Sequence, residues 1–84
     1  MTPAKREQLD RLIDRVAAML DGGVEPQIII DMLVADEGAR YRFTCGADEL
    51  RMAGVAGTST CGPKPVLESW MRAALRRIAR EAGR

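Results

Sequence analysis

The sequence contains no histidine, so the chain lacks both the commonest general base and a frequent zinc ligand. It has only two cysteines, Cys45 and Cys61, and two thiols without histidine make a poor zinc site. Its carboxylates are scattered along helical surfaces without an evident catalytic pair. We therefore expect a protein that is not an enzyme and that holds no metal and no cofactor.

Long apolar runs are also missing. No segment approaches the roughly 18 apolar residues that span a bilayer, and the N-terminus leads into a charged helix rather than the apolar region of a signal peptide. These features predict a cytoplasmic protein with no membrane partner. In a reducing compartment the two cysteines are expected to be free thiols.

The composition is that of a globular protein, with 46% hydrophobic and 30% charged residues in a chain of 84. This length predicts a single domain, residues 1–84, with one small core. Self-association would add to the stability of so small a domain, and a homodimer is one of the expected states.

The net charge of +1 hides an asymmetry between the two halves of the chain. Residues 1–42 carry six Lys and Arg against eight Asp and Glu, whereas residues 43–84 carry seven against four. Because a dedicated duplex-DNA binder usually has a larger excess of cations, this chain can supply a basic surface only locally.

Three helices are predicted from hydrophobic periodicity. The first runs from Pro3 to Asp21 with Thr2 as its N-cap, and the second starts near Glu25 and Pro26 and ends before Gly38. Their short linker predicts an antiparallel helical hairpin.

The third predicted helix, residues 65–84, has two different faces. Its apolar stripe includes Trp70, which we expect to be the main anchor of the core. Its other face carries Arg72, Arg76 and Arg80 at a spacing of four residues, a row that suits an acidic partner but that is also typical of a solvated surface.

Residues 40–60 allow two interpretations. In the favoured one, the alternation in residues 40–45 predicts a strand that pairs with residues 50–55 through a turn at residues 46–49. Residues 53–62, which are small or carry hydroxyls, then form a close-packed connection to the third helix. The predicted fold is α+β, in the order α-α-β-β-α.

In the alternative, residues 49–60 resemble the first helix and turn of a helix-turn-helix, which would give an all-α fold. The resemblance covers about a dozen residues. It ends where the recognition helix would have to run through Gly62, Pro63 and Pro65, because prolines and glycine are not tolerated together inside a helix.

Two functions remain in view. The first is a small non-catalytic interaction protein, an inhibitor or adaptor of the kind that mobile elements encode, which docks on a larger protein or protein–nucleic-acid complex. The alternative is a dimeric DNA-binding regulator, because nucleic acid also suits arginines. In both, the expected partner-binding residues are Arg40, Arg42, Arg51, Arg72, Arg76, Arg77, Arg80 and Arg84.

Overall fold

The structure is a computed structural model that describes residues 2–82. Three helices and a three-stranded antiparallel sheet follow each other in the order α-α-β-β-β-α. The elements are α1 (Pro3–Asp21), α2 (Pro26–Glu37), β1 (Arg40–Thr44), β2 (Ala47–Met52), β3 (Val55–Ser59) and α3 (Pro63–Ala82). The predicted α+β class is confirmed, and the helix-turn-helix alternative is wrong because residues 47–52 and 55–59 are strands.

The first two helices begin and end where the sequence predicts. The hydroxyl of Thr2 accepts a hydrogen bond from the Lys5 amide, and Pro26 opens α2 at a position where its missing N–H costs nothing. Gly38 closes α2 in the left-handed conformation, with φ of 68°. Helix α3 starts two residues earlier than expected, because both Pro63 and Pro65 fit in a first turn whose N–H groups have no helical partner.

The third strand is the main difference from the predicted fold. Two hairpins with two-residue turns replace the single hairpin, and the turns lie at Cys45-Gly46 and Ala53-Gly54. All four turn residues have positive φ, between 54° and 78°. Two-residue hairpin turns with positive φ at both positions match the right-handed twist of the flanking strands. The predicted turn at residues 46–49 and the predicted strand at residues 50–55 were therefore out of place.

The sheet has the order β1-β2-β3, with α3 packed chiefly on β3. Trp70 is fully buried, as predicted, and its indole N–H donates to the carbonyls of Met52 and Val55 at 3.2 and 3.1 Å. These two carbonyls flank the β2–β3 turn, so the tryptophan fixes this turn against α3. The core around it is Leu9, Leu12, Val16, Ile29, Ile30, Leu33, Ala39, Leu50, Met52, Val55, Val66, Leu67, Ala74 and Ile78.

Candidate partner-binding surface

One face of the sheet is turned away from the core and carries arginines. In β2 the buried residues Asp48, Leu50 and Met52 alternate with Glu49 and Arg51, which lie on the outer face. Residues directly opposite each other on neighbouring strands point their side chains to the same face. The strand register therefore identifies the residues of β1 and β3 that also lie on the outer face. The outer face consists of Arg40, Arg42, Ala47, Glu49, Arg51, Ala56 and Thr58.

Three arginines and one glutamate surround a shallow depression of about 130 Å³ on this face: Arg40, Arg42, Arg51 and Glu49. We call them the sheet cluster. Arg42 is opposite Glu49 and pairs with it, with 3.2 Å between Nε and Oε1. Arg40 is opposite Arg51, and neither makes an ion pair within residues 2–82. Since like charges on opposed residues destabilise a sheet, this pair is a local cost to the fold.

A second group of arginines lines a cleft between the β2–β3 turn and α3. The cleft has a volume of about 500 Å³, and we call it the arginine cleft. Its residues are Gly54, Val55, Ala56, Ala73, Arg76, Arg77 and Arg80. Arg77 is half-buried, and its Nη1 donates to the Gly54 carbonyl at 3.3 Å. Arg76 and Arg80 are exposed and make no ion pair within the described part of the chain.

The sheet cluster and the arginine cleft meet at Ala56. This residue lines the cleft, and on the outer face it is opposite Arg51 of the sheet cluster. Six of the eight arginines expected from the sequence therefore lie along a surface that runs from β1 across the sheet to the cleft beside β3. Arg72 is exposed one turn earlier on α3 and does not line the cleft, whereas Arg84 lies outside the described residues.

The backbone of β3 adds polar groups that the sequence analysis did not consider. The Thr58 N–H points away from β2 and donates to Ser69 Oγ at 3.2 Å. Because alternate residues of a strand point their backbone groups to the same side, the N–H and C=O of Ala56, which lines the cleft, also point away from β2. Within residues 2–82 these two groups have no hydrogen-bond partner outside the sheet.

In the acidic N-terminal half, the arginines of α1 pair with carboxylates. Arg11 donates two hydrogen bonds to Glu37, at 2.9 and 3.1 Å, and Arg15 donates to both Glu37 and Asp36. These ion pairs hold the end of α2 beside α1, in agreement with an antiparallel helical hairpin. The hydrogen bond from Arg11 is the main cause that lowers the pKa of Glu37, and Arg15 adds to it. The hydrogen bonds that Arg15 donates to Asp36 and Glu37 raise the pKa of Arg15.

Other chemistry has little support in the described residues. Within residues 2–82 no group of three His, Cys, Asp or Glu side chains is arranged to hold a metal ion. Cys45 and Cys61 are exposed and unpaired. None of the three helices, as far as they are described, is both long and apolar enough to cross a membrane.

Comparison of the chain with family models, with curated proteins and with solved structures finds no significant match.

Proposed function

We propose that this protein is a small non-catalytic interaction protein of the cytoplasm that docks an acidic surface of a larger protein on its arginine surface. That surface is the sheet cluster together with the arginine cleft. The observation that carries the proposal is the contrast between the two halves of the fold. The arginines of α1 pair with carboxylates of α1 and α2, whereas Arg40, Arg51, Arg76 and Arg80 have no ion pair within residues 2–82.

Unpaired arginines packed this closely suit a ligand that brings carboxylates. A guanidinium presents several N–H donors in a fixed plane, which matches the two oxygens of a carboxylate. The opposed pair Arg40 and Arg51 would be relieved by a bound carboxylate, so part of its cost to the fold would return as binding free energy. An inhibitor or adaptor acts by binding alone, and these contacts would be sufficient for that.

Two features favour a protein over a nucleic acid as the partner. The outer face of the sheet carries no aromatic side chain on which bases could stack, because Tyr41 and Phe43 belong to the other face. Leu75, 53% exposed, lies on α3 beside the exposed arginines, and mixed apolar and arginine surfaces are typical of protein interfaces.

The test is capture of the partner from nuclease-treated lysate of the native host, using the wild type and a variant in which Arg40, Arg51, Arg76 and Arg80 are changed to Gln. Lys64→Gln, which removes an exposed charge of α3 outside the arginine surface, is the control. We expect one protein to be retained by the wild type and the control and lost by the fourfold variant. Circular dichroism checks that the variant is folded, since each exposed substitution should change stability by only about 0.5 kcal/mol.

Reconstitution with the purified partner then distinguishes protein from nucleic acid. Binding of duplex DNA through Z phosphate contacts weakens with salt with a log–log slope near −0.9Z, and capture through nucleic acid would occur only in lysate that has not been treated with nuclease. Retention that depends on nucleic acid, or that the fourfold variant leaves unchanged, would overturn the proposed function.

A further inference from the structure

We propose that the arginine cleft binds an extended acidic segment of the partner protein, with two carboxylates separated by one residue. This inference rests on the proposed function and deepens it, because it assigns the part of the partner that enters the cleft. The segment would lie along the free side of β3, with its central residue at Ala56 and its two acidic side chains on Arg76 and Arg80.

The backbone of β3 provides the first part of this site. Ala56 lines the cleft, and its N–H and C=O point away from β2 as the Thr58 N–H does, so they can form the two hydrogen bonds that join opposed residues of antiparallel strands. The next N–H of β3 that points away from β2 is that of Thr58, and it already donates a hydrogen bond to Ser69 Oγ. An added strand can therefore pair at Ala56 but not beyond it, so the site is short and selects a short segment.

The spacing of the arginines provides the second part. Arg76 and Arg80 are one turn apart on α3, which corresponds to a rise of about 6 Å. Side chains two residues apart in an extended chain lie on the same face at a separation of about 7 Å. Two acidic residues with one residue between them therefore match the two exposed guanidinium groups.

The faces of the strand agree with this arrangement. The side chain of Ala56 lies on the outer face with that of Arg51, so a peptide residue opposite Ala56 also points its side chain outward. Its two neighbours then point to the other face, which is the side of the sheet where α3 packs. An acidic central residue would in addition come close to Arg51 and extend the contact to the sheet cluster.

The cleft is held in shape before anything binds. Trp70 fixes both ends of the β2–β3 turn through its bonds to Met52 and Val55, and Arg77 fixes the tip through Gly54. The turn and the Arg77 side chain are therefore ordered before a ligand binds, so binding costs less conformational entropy. Arg76 and Arg80 are left as the two mobile donors that close on the carboxylates.

The experiment uses two synthetic peptides of identical composition, one with the order Glu-Ser-Glu at its centre and one with Glu-Glu-Ser. Binding to the full chain is measured by fluorescence anisotropy, and amide shifts by NMR. We expect the first peptide to bind about fivefold or more tightly than the second, with the Ala56 amide among the largest shifts. Arg76→Gln and Arg80→Gln should each weaken it by about fivefold or more, whereas Lys64→Gln should not.

Failure of this inference can be told apart from failure of the proposed function. Equal affinity for the two peptides, lost on Arg40→Gln or Arg51→Gln but not on Arg76→Gln, would overturn the role of the cleft and leave an acidic partner on the sheet cluster. If neither peptide binds at low salt while a duplex DNA oligonucleotide binds with a steep salt dependence, both the inference and the proposed function are wrong.

Discussion

The backbone of Trp70 lies directly against Gly57, so that β3 and α3 touch without a side chain between them. A Cβ added at Gly57 would be 2.6 Å from the Trp70 Cα and 2.9 Å from the carbonyl carbon of Ser69, and it would also strike the Trp70 nitrogen. These neighbours are backbone atoms in the middle of a helix, and they cannot turn aside as a flexible side chain could. The close approach allows Trp70 to reach the β2–β3 turn.

Gly57→Ala is therefore expected to destabilise the protein. The added methyl must push α3 away from β3, and overpacking of this kind typically costs about 1–3 kcal/mol or more. Chemical denaturation measures the change in the free energy of unfolding. Thr58→Ala, which alters an exposed side chain of the same strand, is the control and should stay within about 0.5 kcal/mol of the wild type. A wild-type melting temperature for Gly57→Ala would show that the two elements do not touch here.

A second prediction separates the two roles of Trp70. Trp70→Ala should cost about 3–5 kcal/mol, because it leaves a large cavity in a small core. Trp70→Phe retains most of the ring but removes the N–H that Met52 and Val55 share, so we expect a smaller loss of about 1–3 kcal/mol. Urea denaturation of both variants gives the two values. If Trp70→Phe were as stable as the wild type, the hydrogen bonds to the turn would contribute nothing.

How far the sequence predicts the fold depends on the kind of signal. Helices α1 and α2 were located from periodicity, capping and proline, all of which act within a few residues. Strand β3 was missed because its residues, Val55–Ser59, are mostly small and lack the alternation of large apolar side chains. Its position is decided by Gly57, which admits α3, and by the turn before it. Neither requirement is visible until the partner element is known.

The arginine surface was predicted in its residues but not in its geometry. Helical spacing indicated the row on α3, and alternation indicated that Arg40 and Arg42 share a face. That Arg51 joins them depends on the register of β1 with β2, and a turn longer or shorter by one residue would have placed it on the opposite face. The Ala56 backbone and Glu49 were missed because their roles arise only once three strands lie side by side.

The tight turn between β1 and β2 offers a stabilising substitution. Cys45 has φ of 54° and is exposed, and this left-handed conformation is unfavourable for most side chains but tolerated by asparagine. Because Asn-Gly is a preferred pair in this type of turn, Cys45→Asn should raise the free energy of unfolding by roughly 0.5–1 kcal/mol. Cys61→Ser, which removes the other exposed thiol, should not do so. A destabilised Cys45→Asn variant would mean that the turn has a different geometry.

The ion pairs between α1 and α2 predict a pH dependence. Hydrogen bonds from Arg11 and Arg15 lower the pKa of Glu37 in the folded state. The ionised Glu37 therefore contributes its full stabilisation at pH values above its unfolded-state pKa. The stabilisation is lost as the pH falls through the lower, folded-state pKa. Glu37→Gln removes the effect, so the wild type should exceed the variant in stability at neutral pH, and the difference should shrink in acid. A difference that does not change with pH would show that the pairs do not hold the carboxylate.

The opposed arginines of the sheet cluster give the most direct test of whether this surface is kept for binding. Arg51→Gln removes the repulsion with Arg40, so it should stabilise the fold by about 0.2–1 kcal/mol while it weakens binding of the acidic partner. Arg42→Gln is the matched control, because it removes the ion pair with Glu49 and should leave stability unchanged or lower. The gain from Arg51→Gln should vanish at 1 M salt, where the screening length falls to about 3 Å. If Arg51→Gln raises stability and weakens binding, the presence of Arg51 is explained by binding and not by stability. If Arg51→Gln destabilised the protein instead, the arginine would serve the fold through its aliphatic stem, and the binding surface would be confined to the arginine cleft.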